Sequence, residues 1–155
     1  MSELSSLLAE ALVGEYRMRA AELHGLVDSL ADGQFWQKPY PYGNSVGHLV
    51  LHLTGNLNYY IGAQIAGTGY LRDRDREFSD PSRPRKASVL AHFDETIALV
   101  VGTLEAQWEP DWARAYTAEG EPQARNRFTI FLRCAAHLGH HIGQIHLLLR
   151  ELAKT

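Results

Sequence analysis

In four long stretches of this chain, apolar residues return every three or four positions, and no stretch of convincing length alternates. The first stretch runs from about Glu3 to Ala31, carried by Leu4, Leu8, Leu12, Leu23, Leu26, Val27 and Leu30, and Asp32-Gly33 stops it. The second starts at an N-cap, Asn44 or Ser45, runs to about Ala66 and ends at Gly67-Thr68-Gly69. The third covers about Lys86 to Gln107, with Val89, Leu90, Phe93, Ile97, Val100, Val101 and Leu104 as its stripe, and the fourth about Ala124 to Ala153. Asp111 to Thr117 is the only segment with any strand character. The pattern predicts an all-α fold, a four-helix bundle with long connectors, in one domain spanning residues 1–155.

The connectors read as irregular. Phe35 to Gly43 is an aromatic loop broken by Pro39, Pro41 and Gly43, with aromatics expected to fold back onto the core. Tyr70 to Arg85 reads as a long loop, charged in alternation from Arg72 to Glu77 and followed by Pro81 and Pro84; such loops are often functional or mobile. Trp108 to Pro122 is a second connector. With two long middle connectors, a simple up-down-up-down order is not required. At 155 residues and 45% hydrophobic content the chain can bury a core without disulfides. Its single cysteine, Cys134, excludes an intramolecular disulfide and a cysteine-rich zinc module, and reads as a small core residue. A net charge of −3 argues against a nucleic-acid partner held by charge. No unbroken apolar run of membrane-spanning length and no leader at Met1-Ser2-Glu3-Leu4 is seen, so no membrane and a cytoplasmic location are expected.

Eight histidines stand out, most of them clustered. The second helix holds His48-Leu49-Val50-Leu51-His52, and the fourth holds His137-Leu138-Gly139-His140-His141 followed by Gln144 and His146. Residues four apart on a helix differ by only about 40° in direction, so His48 and His52 share a face, as do His137 and His141. Two such pairs on facing helices can supply a three-nitrogen face to a transition metal and leave a position open. Neutral imidazole suits zinc, nickel, copper or ferrous iron. The Glu-x-x-His repeats of di-iron carboxylate bundles are absent, as is His-Glu-x-x-His. The competing readings are surface histidines and bis-histidine haem ligation, without a Cys-x-x-Cys-His attachment motif. His24, His92 and His146 read as ordinary surface residues.

The segments Asn44-Ser45-Val46-Gly47-His48-Leu49-Val50-Leu51-His52-Leu53 and His137-Leu138-Gly139-His140-His141-Ile142-Gly143-Gln144 resemble the second- and fourth-helix motifs of the DinB/YfiT-like family. The resemblance extends over nearly the whole chain. It implies a four-helix bundle of unusual connectivity with a divalent metal, zinc or nickel, on His52, His137 and His141. It also implies dimerisation through bundle helices. Relatives of this kind include metal-dependent transferases and isomerases that use small thiols such as bacillithiol or mycothiol, and an all-histidine triad resembles the bacillithiol-transferase branch.

The expected chemistry follows. A metal on neutral ligands favours a bound thiol as thiolate, which attacks a small-molecule electrophile. His48, Tyr59 and His140 are candidate proton carriers, and Asn56 and Gln144 are placed to orient ligands or substrate. Arg72, Arg74 and Arg76 read as a solvated loop with an anionic cosubstrate as the alternative. A homodimer is expected because Ile142, Ile145, Leu148, Leu149 and Leu152 form a wide apolar arc. A metal-binding stress-response protein without turnover, a metal-dependent hydrolase and a helical dimer without metal are the competing functions.

Overall fold

The structure, a computed structural model, describes residues 2–154. Four long helices form an all-α bundle: α1 (Glu3–Val27), α3 (Val46–Leu57), α5 (Lys86–Glu105) and α7 (Arg127–Leu152). Three short ones lie between them: α2 (Asp32–Trp36), α4 (Arg74–Ser79) and α6 (Glu109–Trp112). Both α1 and α3 pack against α5 and α7, so α1 and α3 are diagonal partners. The Tyr16 hydroxyl donates to the Phe131 carbonyl at 2.7 Å and His146 meets Glu22 at 3.3 Å, so α1 and α7 run parallel. Arg17 pairs with Glu105 and His24 with Asp94, so α5 runs against α1. Parallel first and last helices are incompatible with a plain up-down-up-down bundle, and the long connectors make the required crossings.

The core is filled from all four helices, with Tyr16, Phe93, Leu53, Phe131 and Leu138 fully buried. The wide arc on α7 is spent here: Ile142, Ile145, Leu148 and Leu152 are buried within a single bundle. By length and composition α5 is apolar enough to cross a bilayer, yet its Val89, Phe93, Val100 and Leu104 are buried among the other helices.

Several boundaries differ from the sequence reading. α1 ends at Val27 rather than Ala31, and α7 begins at Arg127 rather than Ala124. Residues 114–116 claim the backbone just before α7: Tyr116 N–H donates to Arg125 O and Arg127 N–H to Arg114 O, beside an isolated Ala115–Asn126 bridge. Asn126 then caps the helix by accepting from Thr129 N–H at 2.8 Å. The aromatic connector contains α2, and the Trp108–Pro122 connector contains α6, where Asp111 accepts from the Trp108 N–H. The segment read as a loop from Tyr70 to Arg85 contains α4, whose start is capped by Asp73 accepting from Arg76 N–H at 3.1 Å. Beyond Leu57 the second long helix widens into a π-helical stretch, Asn58–Ala63, held by Asn58 donating to Thr54 O and Thr96 Oγ1.

Candidate metal centre

Ser45 starts α3, its hydroxyl oxygen accepting from the His48 N–H at 3.1 Å. His52 follows one turn after His48 and is buried where α3 meets α7. From α7, His137 and His141 project one turn apart toward it. One ring nitrogen from each of the three lies within 4.8 Å of the other two. His137 Nε2 is 3.2 Å from His52 Nε2 and 3.0 Å from His141 Nε2. Nitrogens bound at about 2.0–2.1 Å to a tetrahedral ion sit roughly 3.3–3.4 Å apart, close to this spacing.

The far sides of the rings explain why the Nε2 atoms converge. His52 Nδ1–H donates to Glu77 Oε2 at 2.8 Å. Arg72 grips the same carboxylate, with Nε 2.7 Å from Oε1 and Nη2 2.9 Å from Oε2. His141 Nδ1–H donates to Gln144 Oε1 at 2.7 Å, and the Gln144 amide donates to His140 Nε2 at 3.2 Å. Because Glu77 and Gln144 Oε1 can only accept, they place the ring protons on Nδ1 and aim the His52 and His141 Nε2 lone pairs inward. A proton on His137 Nε2 would satisfy one of those lone pairs and leave the other, whereas one cation satisfies all three nitrogens. The donor set therefore fits a divalent transition metal. Among the described residues, His137 Nδ1 is buried without a hydrogen-bond partner.

Electrostatics keeps His137 and His141 in their ligand form. Burial, then the charges that His141, His52 and Arg72 would bear, pushes His137 down to about 3. Burial likewise pushes His141 down to about 4, against the opposing effect of its Gln144 contact. Burial works to raise the Glu77 carboxyl, but hydrogen bonds from His52 and Arg72, with their charges, hold it below the usual range. Glu77 and Arg72 thus form a buried ion pair behind His52, with side chains 6% and 9% exposed.

Sequence reasoning did not single out Glu77, and it read Arg72 as part of a solvated loop. The structure corrects that reading for Arg72; Arg76, by contrast, is an exposed side chain paired with Asp80. A signal for the hidden element existed in Asp73, an N-cap residue four positions before Glu77.

The remaining candidates are spread around this centre. His48 is buried edge-on against Trp36, its Nδ1 2.7 Å from Ser45 Oγ, and among the described residues no hydrogen bond joins it to the three rings. Burial, then Lys38 and Arg83, lowers its pKa. Asn56 is buried, its Oδ1 without a partner among the described residues. Tyr59 packs on Tyr60 and lines a cavity of about 760 Å³ with Tyr70, Arg72 and Arg74; none of the three metal-facing histidines lines it. Gln144 lines a second cavity, about 530 Å³, with Tyr40, Leu49 and Leu148. Cys134 is fully enclosed and burial raises its thiol far above the ordinary value, so it offers no nucleophile.

Residues 15–145 match the profile of the DinB superfamily. The fold is similar to that of a DinB-like protein from Bacillus cereus, with a TM-score of 0.70 at 17% identity, covering 91% of this chain and 90% of that one. No curated protein matches the chain.

Proposed function

The chain belongs to the DinB superfamily, and on that premise we propose that it holds zinc or nickel on His52, His137 and His141 and transfers a small thiol to a small electrophile. The observation that carries this reading is the convergence of three Nε2 atoms whose rings are oriented from behind by Glu77 and Gln144. The resemblance to thiol-dependent relatives supports the thiol as co-substrate.

A divalent ion held there, its charge uncompensated by neutral ligands, favours thiolate over thiol near pH 7. The protein's own groups do the positioning. Glu77, gripped by Arg72, fixes the His52 ring, and Gln144 fixes the His141 ring. In the transfer the thiol S–H bond breaks, sulfur bonds to the electrophilic atom, and the leaving group departs with its electron pair. His140 is exposed at the outer end of the His141–Gln144 chain. The proton released from the thiol passes to solvent.

The test combines elemental analysis of untagged protein with conjugation assays over a panel of small thiols and electrophiles. Expected are one metal ion per chain, turnover lost to a chelator and restored by zinc or nickel, and no turnover in His137→Ala with its helical circular dichroism retained. Stoichiometric metal without conjugation would remove the transferase reading and leave the metal centre. Metal-dependent ester or amide cleavage would favour a hydrolase.

A further inference from the structure

Beyond Leu57 the second long helix runs on as the π-helical stretch Asn58–Ala63, where Gln64 N–H reaches back five residues to Tyr59 O at 3.3 Å. Such π-turns often lie at functional sites. This one sets Tyr59 and Tyr60 side by side, ring centroids 5.0 Å apart, on the wall of the cavity of about 760 Å³. Tyr70, Arg72, Arg74 and Glu119 face the same space. Small-molecule sites usually measure about 300–1,000 Å³, and this cavity falls within that range.

One side of the cavity is fixed. The Tyr60 hydroxyl donates to Glu119 O at 3.1 Å, Tyr116 donates to Tyr60 O at 2.9 Å, and the Arg72 guanidinium lies over the Tyr60 ring at 5.6 Å. At Gly120, with φ +88°, a Cβ would strike the Tyr60 hydroxyl, so glycine lets the loop close against the ring.

The other groups are uncommitted. Tyr16, Tyr60 and Tyr116 each donate to a backbone carbonyl. The half-buried Tyr59 and Tyr70 have hydroxyls with no hydrogen-bond partner among the described residues. Arg74 meets no carboxylate there either. Its guanidinium lies over the Phe78 ring at 5.6 Å, which leaves its N–H groups free. Burial, then the Glu77 charge, raises the Tyr70 pKa against the opposing effect of Arg72, so this hydroxyl keeps its proton and donates.

We propose that this cavity binds a small planar aromatic carboxylate, at a site separate from the metal centre. The ligand ring lies among Tyr59, Tyr60 and Tyr70, where a further aromatic face gains offset or edge contacts. Its carboxylate takes two N–H groups of Arg74, a fork that matches the two oxygens, with the free tyrosine hydroxyls as further donors. Glu119, at the Tyr60 end, repels the acid group and so sets the direction in which the ligand lies. Arg72 is not the anchor, because Glu77 already holds it at 2.7 and 2.9 Å. Arg72 instead divides the two sites: its guanidinium faces Tyr60 in the cavity and its Nη2 stands 3.4 Å from His52 Nδ1. None of the three metal-facing histidines lines the cavity, so binding there uses neither the ion nor the thiol chemistry.

The test is calorimetric titration of the full chain with naphthoate, with and without zinc. Cyclohexanecarboxylate keeps the charge without the flat ring, and naphthamide keeps the ring without the charge. Expected is one naphthoate per chain, with each control weaker by about tenfold or more. Arg74 is exposed, so Arg74→Gln keeps the fold and should weaken naphthoate by about tenfold. Tyr59→Phe and Tyr70→Phe should each weaken it by roughly two- to tenfold. His137→Ala in a chelator should bind naphthoate as tightly as the native chain. No saturable binding at about 1 mM, equal affinity for cyclohexanecarboxylate, unchanged affinity in Arg74→Gln, or affinity lost together with the metal would each overturn the proposal. Absence of thiol transfer would leave it standing, because the titration reads binding alone.

Discussion

Glu77 is one carboxylate serving two buried donors: His52 donates to one oxygen and Arg72 to both. Hydrogen-bond partners behind metal-binding histidines are worth roughly 10–100-fold in metal affinity. We expect Glu77→Ala to weaken zinc binding by about that range, and Glu77→Gln by less, because the amide oxygen still accepts from His52 Nδ1–H. Competition against a chromophoric chelator measures both; equal affinities in all three proteins would exclude the carboxylate from the centre. The histidines also set an acid response. Unfolded, they titrate at the ordinary value of 6.5, whereas the fold holds His137 at about 3 and His141 at about 4. Below 6.5 the unfolded chain takes up protons that the folded rings refuse, so stability is lost as pH falls from there toward the folded values. Above about pH 7 this contribution is absent. Glu77 adds to the loss at lower pH, since its depressed carboxyl stabilises the fold above the ordinary 4.5 and ceases to as it protonates. Thermal melts of metal-free protein from pH 7 to 4.5 should therefore show a falling midpoint, with a flatter slope in His137→Leu. An unchanged slope in that variant would place the proton uptake elsewhere.

The short helices decide how the site is built, and they were the least legible part of the sequence. Each long helix carries its own apolar period, and the four-residue spacing within His137–His141 announced a shared face directly. Helix α4 has only six residues, too few to hold its shape alone. Its buried residue is the charged Glu77, so the run from Arg72 to Glu77 reads as solvated until α3 is placed beside it. Leu4 on α1 misleads for the opposite reason: it shares a helical period with the core residues Leu12 and Leu23, and only its 58% exposure separates it from them. The docking of α4 depends on Gly55, where a Cβ would fall on the Glu77 carboxylate. Alanine for glycine within a helix is ordinarily worth up to about 1 kcal/mol in its favour. Here Gly55→Ala should instead displace Glu77 from His52 and lower zinc affinity, even with the helix itself strengthened. At Gly47 a Cβ would lie 2.6 Å from the Trp36 ring, a rigid neighbour that cannot swing aside. Gly47→Ala should cost about 1–3 kcal/mol through overpacking. Urea unfolding and zinc titration of both variants separate the effects: Gly47→Ala should shift mainly stability, Gly55→Ala mainly affinity.

Across the whole molecule, an ion on this site would join α3 to α7, elements whose ligands His52 and His137 are 85 residues apart in the chain. A ligand that binds only the folded state adds about 2.7 kcal/mol when present at a hundred times its dissociation constant. In a domain of this length each kcal/mol moves the melting midpoint by roughly 2–4 °C, so zinc at that excess should raise it by roughly 5–11 °C. The gain requires all three rings. His52→Ala, His137→Ala and His141→Ala should each lose most of it, since two nitrogens cannot close the site. Cys134→Ala should keep the full shift although Cys134 stands one turn before His137, because its thiol is enclosed in the core and burial holds it protonated. Calorimetry with and without zinc reads these differences directly. A shift that survived in His137→Ala would point to the surface pairs instead, His24 with Asp94 or His146 with Glu22, where a histidine and a carboxylate also stand together but no third ligand converges among the described residues.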